Sequence, residues 1–357
     1  MPWAIRRSPA FIVVLWTLLL VGAVEIGCRF YELGRPQMRK PPLPGPLEEL
    51  LQPDSALFWT LRPNSRFELR GVPHVTNSHG LRSGEIGPKG ADEYRILSLG
   101  ESTTWGHGVR AEHTYSALLE DLLNDASRNS GGPTFGVINA GVPAYTSFQS
   151  LKYLELRGVK LQPDMVLFYH EFNDYLPTAL RDFGSDELDF SLTDWQRYDS
   201  RRQKLHRWLQ QFSATYRFAI YLSARRQLDR LQGLDHGMRA EVMRDDELRE
   251  MRFPIRVSDD ERARVFEALH ALCRDTGALL VVIHPSYDMW EHQECLITEF
   301  CQKNQVPLFN AYDSLHPAGA GAGVMFVDPL HPSKRGHRAL ARGIFRFLVT
   351  NRLVPLD

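Results

Sequence analysis

Cysteine is scarce in this sequence, with four residues in 357, at Cys28, Cys273, Cys295 and Cys301. None falls in a C-x-x-C pair, which excludes a zinc knuckle and a dithiol redox motif. Cys295 and Cys301 fall in one predicted helix at a spacing that puts them on different faces, which argues against a disulfide between them. So few cysteines leave the redox compartment open. Net charge is missing as well: 42 Lys and Arg stand against 43 Asp and Glu, a formal charge of -1. The chain therefore has no overall basic footprint, and nucleic acid is not expected as a partner. No internal repeat or low-complexity segment interrupts it.

Charge is also absent near the amino terminus, where Ser8 to Val24 is an uncharged run of 17 residues between Arg7 and Glu25. A membrane-spanning helix wants about 20 apolar residues, so the run fits a short span or the apolar region of a signal peptide. The Val-Gly-Ala stretch at Val21 to Ala23 offers a cleavage site, whereas Gly27-Cys28 makes a poor lipoprotein site with Glu25 three before the cysteine. The expectation is an uncleaved anchor over residues 1–37, contacting the membrane through this helix. Arg29, Arg35, Arg39 and Lys40 outnumber Arg6 and Arg7, against a simple positive-inside count, but large domains translocate despite such local bias. The rest of the chain is expected outside the cytoplasm, in the periplasm or beyond, with the opposite orientation left open.

Met38 to Glu49, MRKPPLPGPLEE, is stiffened by four prolines and reads as a linker over residues 38–54. Residues 55–91 hold short aromatic and β-branched runs broken by Pro63, Asn64, Gly71 and Pro73, a small β-rich lead-in. From Arg95 strands and helices alternate: RILSL, a helix near Tyr115 to Ser127, FGVINAG, a helix near Ser147 to Arg157, then DMVLFYHEF. The series resumes with SDDERARVFEALHALCRDTG, LLVVIH, a helix near Met289 to Asn304, VPLFNA and a last helix after Pro332. That order predicts an α/β domain over 92–357 with a parallel sheet and helices on both faces. The rhythm stops over about 178–258, where Leu205, Trp208, Leu209, Phe212, Tyr216 and Ile220 recur at helical spacing and residues 195–230 carry nine Arg or Lys against two Asp. This insertion fits either an amphipathic helix with a solvated basic face or a lid or surface turned to anionic lipid or polymer.

RILSLGESTTWGHG runs an apolar strand into a turn, with Ser102 just past the strand's carboxyl end, where open α/β sheets build ligand crevices. A serine there is equally at home as a turn residue. In FVDPLHPSKRGH, Asp328 and His331 stand three apart, and a tight turn would let the carboxylate hold the Nδ1 tautomer and leave Nε2 free as a base. Pro332 suits the first turn of the following helix. Ser102, His331 and Asp328 together supply a nucleophilic triad. The serine lacks the G-x-S-x-G frame of an α/β-hydrolase, which disfavours that fold. His170, His284 and His337 show no H-E-x-x-H spacing, so no metal site is expected among them.

Four blocks in order resemble the SGNH hydrolases, the GDSL esterase/lipase family, in its membrane-anchored bacterial form. GESTTWGHG resembles the first block, INAGVPAYT the second, EFND the third and DPLH the last. Two departures stand out: Glu101 lengthens the usual aspartate by a methylene, and Glu171 replaces a glycine in a loop that shapes the cleft. The resemblance implies a three-layer α/β/α fold with a flavodoxin-like parallel sheet. It implies a serine esterase with Ser102, His331 and Asp328 as triad, and an oxyanion hole from the Ser102 and Gly141 amides and the Asn173 side chain. Taken alone, Gly141 is a turn glycine and Asn173 part of a strand-ending turn. The expected substrate is an acyl or O-acetyl ester on an envelope or exported glycan or lipid, with no metal and no organic cofactor. Two alternatives use the same chain: acyl transfer through the same triad, and an inactive, membrane-tethered glycan-binding or assembly protein.

Overall fold

A computed structural model describes residues 9–35, 50–69, 71–176, 192–199, 201–219, 221–222, 254–287, 296–317 and 322–356. Residues 38–49 of the proline-rich linker, Cys295, Ile220 and most of the 178–258 insertion lie outside the described residues. An apolar helix, α1 (Pro9–Leu33), comes first. Two antiparallel hairpins follow, β1 (Leu51–Asp54) with β2 (Phe58–Leu61) and β3 (Arg66–Leu69) with β4 (Val72–Val75). The first of these strands begins inside the segment expected to be linker.

Five parallel strands make the central sheet: β5 (Glu93–Gly100), β6 (Thr134–Gly141), β7 (Met165–Tyr169), β8 (Leu279–His284) and β9 (Leu308–Asn310). Their order, β6-β5-β7-β8-β9, is the flavodoxin-like one. The near-continuous apolar runs of these strands serve two faces at once, because successive side chains point to opposite sides. Leu97, Leu99, Val166, Phe168, Leu280 and Val282 join one core. Ile96, Met165, Leu167, Val281 and Ile283 join the other.

The first core is closed by α3 (Ser147–Leu156), α5 (Asp259–Thr276) and α6 (Leu296–Asn304), the second by α2 (Tyr115–Ser130) and α7 (Lys334–Thr350); α4 (Arg201–Phe212) belongs to the insertion. Helices α3 and α5 open on full capping boxes, Thr146 with Gln149 and Ser258 with Glu261. Helix α7 is capped by Ser333, so Pro332 stands ahead of the helix and not in its first turn as expected. The lead-in is no satellite: Leu51, Leu57, Trp59 and Leu61 are buried in the first core. Tyr145 donates its hydroxyl hydrogen to the Trp59 carbonyl at 2.7 Å, and Gln149 Nε2 donates to the Leu57 carbonyl at 2.8 Å. Cys28, Cys273 and Cys301 are free thiols.

Strand order reverses at β5, which pairs in parallel with β6 on one side and β7 on the other. This is the topological switch point, and the crevice outside its carboxyl end is where such sheets place ligands. Gly100, Gly141 and Tyr169 stand level in register there.

Candidate active site

Ser102 opens the short helix Ser102–Trp105 directly after β5. Two glycines let that helix lie close against the sheet. A Cβ on Gly100 would fall 1.9 Å from Thr104 Oγ1, and one on Gly141 would fall 2.2 Å from the Trp105 nitrogen. From the lead-in, the buried Arg82 guanidinium holds the helix's far end, with Nη1 donating to the carbonyls of Trp105 at 2.8 Å and Gly106 at 2.7 Å. The His74 ring stacks on Trp105 at 4.3 Å.

Asp328 and His331 come from the loop ahead of α7. Asp328 Oδ1 accepts the backbone N–H of Leu330 at 3.0 Å and of His331 at 2.9 Å, which folds the D-x-x-H stretch into a tight turn. The turn brings His331 Nδ1 to 2.8 Å from Oδ1 and 2.9 Å from Oδ2. Burial works to raise the Asp328 pKa, but the hydrogen bonds and charge of His331 and the Leu330 amide outweigh it, so the carboxyl titrates below its ordinary value. An ionised Asp328 favours the tautomer protonated on Nδ1. Nε2 is then an acceptor, and it lies 2.7 Å from Ser102 Oγ. The three residues expected as a triad thus stand in one hydrogen-bonded line.

The expected oxyanion group is brought together only in part. The Ser102 amide opens its helix and has no intrahelical acceptor. Asn173 is buried, and its Nδ2 donates one hydrogen to the Tyr145 carbonyl at 3.0 Å, leaving the second. Gly141 departs from expectation: its N–H is spent on Asn139 Oδ1 at 3.0 Å, and its missing side chain serves the close approach of the Ser102 helix. Three residues on, Ala144 holds a left-handed φ of 60°. Its carbonyl accepts from Arg256 Nη1 at 2.8 Å, while its N–H makes no hydrogen bond among the described residues. A non-glycine residue in that conformation gives no sign of itself in the sequence.

Beside Ser102 lies a buried group of three carboxyls. Glu101 accepts from the Tyr287 hydroxyl at 3.0 Å and from the Asn173 N–H at 3.3 Å, so it ties the serine turn to the asparagine turn. Burial, then the charges of Asp174 and Glu171, push its pKa up to about 8. Burial likewise raises Glu171 to about 7, with Arg262 opposing and Asp174 adding. Asp174 is fixed by Arg262 at 3.2 Å and by the Ser147 N–H at 2.7 Å. The Glu101 and Tyr287 link, and the grip of Arg82, escape the sequence because each partner is remote along the chain.

Two further histidines, His170 and His337, have structural partners. His170 Nε2 meets Ser150 Oγ at 2.7 Å, and His337 Nδ1 accepts the Tyr115 N–H at 3.1 Å. Burial above all depresses both to about 3, so they stay neutral. His107, Asp328 and His331 present donor atoms within 4.8 Å of one another and are the described residues able to share a metal ion. A cation there would occupy the groups that line up on Ser102.

No protein-family model matches the chain, and no curated protein matches it. Among solved structures, the chain is similar to the esterase EstA of Pseudoalteromonas, at 14% identity over 73% of this chain and 99% of that one, TM-score 0.39. A mutant of Axe2, an acetyl-xylooligosaccharide esterase from Geobacillus, is 15% identical over 74% of this chain and 96% of its own, TM-score 0.43. LAE5, an alpha/beta hydrolase enzyme from a Lake Arreo metagenome, is 14% identical over 74% and 97%, TM-score 0.42.

Proposed function

We propose that this chain is a serine esterase of the SGNH type, hydrolysing carboxylic esters through Ser102, His331 and Asp328. The observation that carries the reading is the line from Ser102 Oγ to His331 Nε2 at 2.7 Å and from Nδ1 to the Asp328 carboxylate at 2.8 and 2.9 Å. In that reading His331 takes the hydroxyl proton as Oγ attacks the ester carbonyl. The oxyanion is met by the Ser102 amide, the Asn173 side chain and the Ala144 amide, in place of Gly141. His331 returns the proton to the leaving alcohol, and water then releases the acyl group by the same route. The substrate is an acyl or O-acetyl ester on a glycan or lipid at the cell envelope. The domain works outside the cytoplasm, held by α1, which is apolar enough to span a membrane.

The test is a fluorophosphonate probe with an acyl-ester panel, on the natural chain and on Ser102→Ala. The expected outcome is labelling and acid release by the natural chain only, with turnover reduced about a thousandfold or more in the variant, since triad members act as a unit. Equal turnover by a folded Ser102→Ala protein would sink the assignment.

A further inference from the structure

Helix α1 is more than a tether. Its apolar part ends at Val24, and the charged residues that follow, Glu25, Arg29 and Glu32, are taken up by the insertion. Glu25 accepts from Ser213 Oγ at 3.0 Å, Thr215 Oγ1 at 2.8 Å, and the N–H groups of Ala214 at 2.7 Å and Thr215 at 3.0 Å. It thereby caps the helical turn over residues 214–219 from outside. Arg29 donates to the Phe212 carbonyl at 3.0 Å. Arg217 meets the buried Glu32 carboxylate with two hydrogen bonds of 2.6 and 2.8 Å. Tyr31 packs edge-on against Phe218 at 5.4 Å.

Helix α4 ends in this clamp. Leu205, Trp208 and Phe212 recur along it at spacings of three and four, on one face, and are 55%, 56% and 51% exposed. The Trp208 and Phe212 rings lie 5.6 Å apart. The same helix carries Arg201, Arg202, Lys204 and Arg207 in sequence.

We propose that α4 is an interfacial helix, lying in the headgroup layer of the anionic bilayer that α1 crosses, with Leu205, Trp208 and Phe212 turned to the acyl chains. Continuity with α1 names the occupant. The apolar window of α1 is 0% buried by protein, and on the anchoring proposed above lipid covers it. From Pro9 to Val24 it reaches roughly 24 Å at about 1.5 Å per residue, short of a core of about 30 Å. Glu25 and its partners are therefore drawn to the membrane boundary, and α4 comes with them. At that level exposed Trp and Phe sit in an aromatic belt, and Lys and Arg meet anionic headgroups.

The experiment uses the full chain in vesicles of phosphatidylglycerol and phosphatidylethanolamine, doped with a phosphatidylglycerol bearing a diazirine high on its acyl chain. After irradiation, adducts are mapped by peptide. Adducts are expected both in α1 and over residues 204–212. In Leu205→Glu/Trp208→Glu the α4 adducts fall at least tenfold while those in α1 persist; Glu32→Ala/Arg217→Ala, which opens the clamp, lowers the α4 adducts severalfold. Labelling confined to α1, labelling of neither helix, or crosslinking of α4 to a second copy each overturns the proposal. Ester hydrolysis is not the readout, so the outcome is independent of the triad.

Discussion

In the proposed mechanism Asn173 carries two separable duties on one amide. One hydrogen of Nδ2 pins the Tyr145 carbonyl, and the other would meet a developing oxyanion. Asn173→Ala is expected to cut turnover about a hundred- to a thousandfold, the usual weight of one oxyanion donor, with a smaller change in the Michaelis constant. Steady-state kinetics on a soluble ester would check this, and an intact turnover with a raised Michaelis constant would make Asn173 a binding residue. Glu101 and Glu171 set a second test. Their folded pKa values, about 8 and about 7, lie above the ordinary 4.5. The fold therefore prefers both protonated, and that contribution is complete below about pH 4.5 and lost as pH rises through about 7 to 8. Thermal unfolding measured across that window should show a falling melting temperature, and Glu101→Gln should flatten the fall.

At the scale of elements, the site depends on how closely the Ser102 helix approaches β6. Gly141→Ala would drive a methyl group into the Trp105 nitrogen, and overpacking of this kind costs about 1 to 3 kcal/mol. We expect a lowered melting temperature together with weakened fluorophosphonate labelling. Ala144→Gly should do the reverse: it relieves a left-handed φ that costs an L-residue roughly 1 kcal/mol or more, and should keep activity. Calorimetry and labelling on the pair would separate a packing glycine from a turn position. These two residues also mark how far the sequence could be followed. The strands from RILSL to LLVVIH were legible because burial on both faces leaves an unbroken apolar run, and the D-x-x-H turn because its bonds are local. What lay hidden was set mostly by contacts across the fold, Tyr287 reaching Glu101 and Arg82 closing on the Trp105 and Gly106 carbonyls; the bond by which Asn139 claims the Gly141 amide is local but follows no sequence signal. Leu51–Asp54 was hidden too, since its pairing partner is β2 and its proline looks like linker.

At the scale of the molecule, the lead-in decides where the chain can be cut. The motif blocks run from Gly100 to His331, and a border drawn at residue 92 looks natural by that measure. It would strip Leu51, Leu57, Trp59 and Leu61 from the first core and remove Arg82 from the Ser102 helix. A protein begun at residue 92 is expected to aggregate on refolding, whereas one begun at residue 50 keeps both hairpins. Size-exclusion chromatography of the two would tell them apart, and a soluble monomer from the shorter one would refute the expectation. The same economy bears on inheritance. A segment that both completes the core and holds the Ser102 helix cannot be traded for another amino-terminal region by recombination, so lead-in and α/β domain are constrained to travel as one unit.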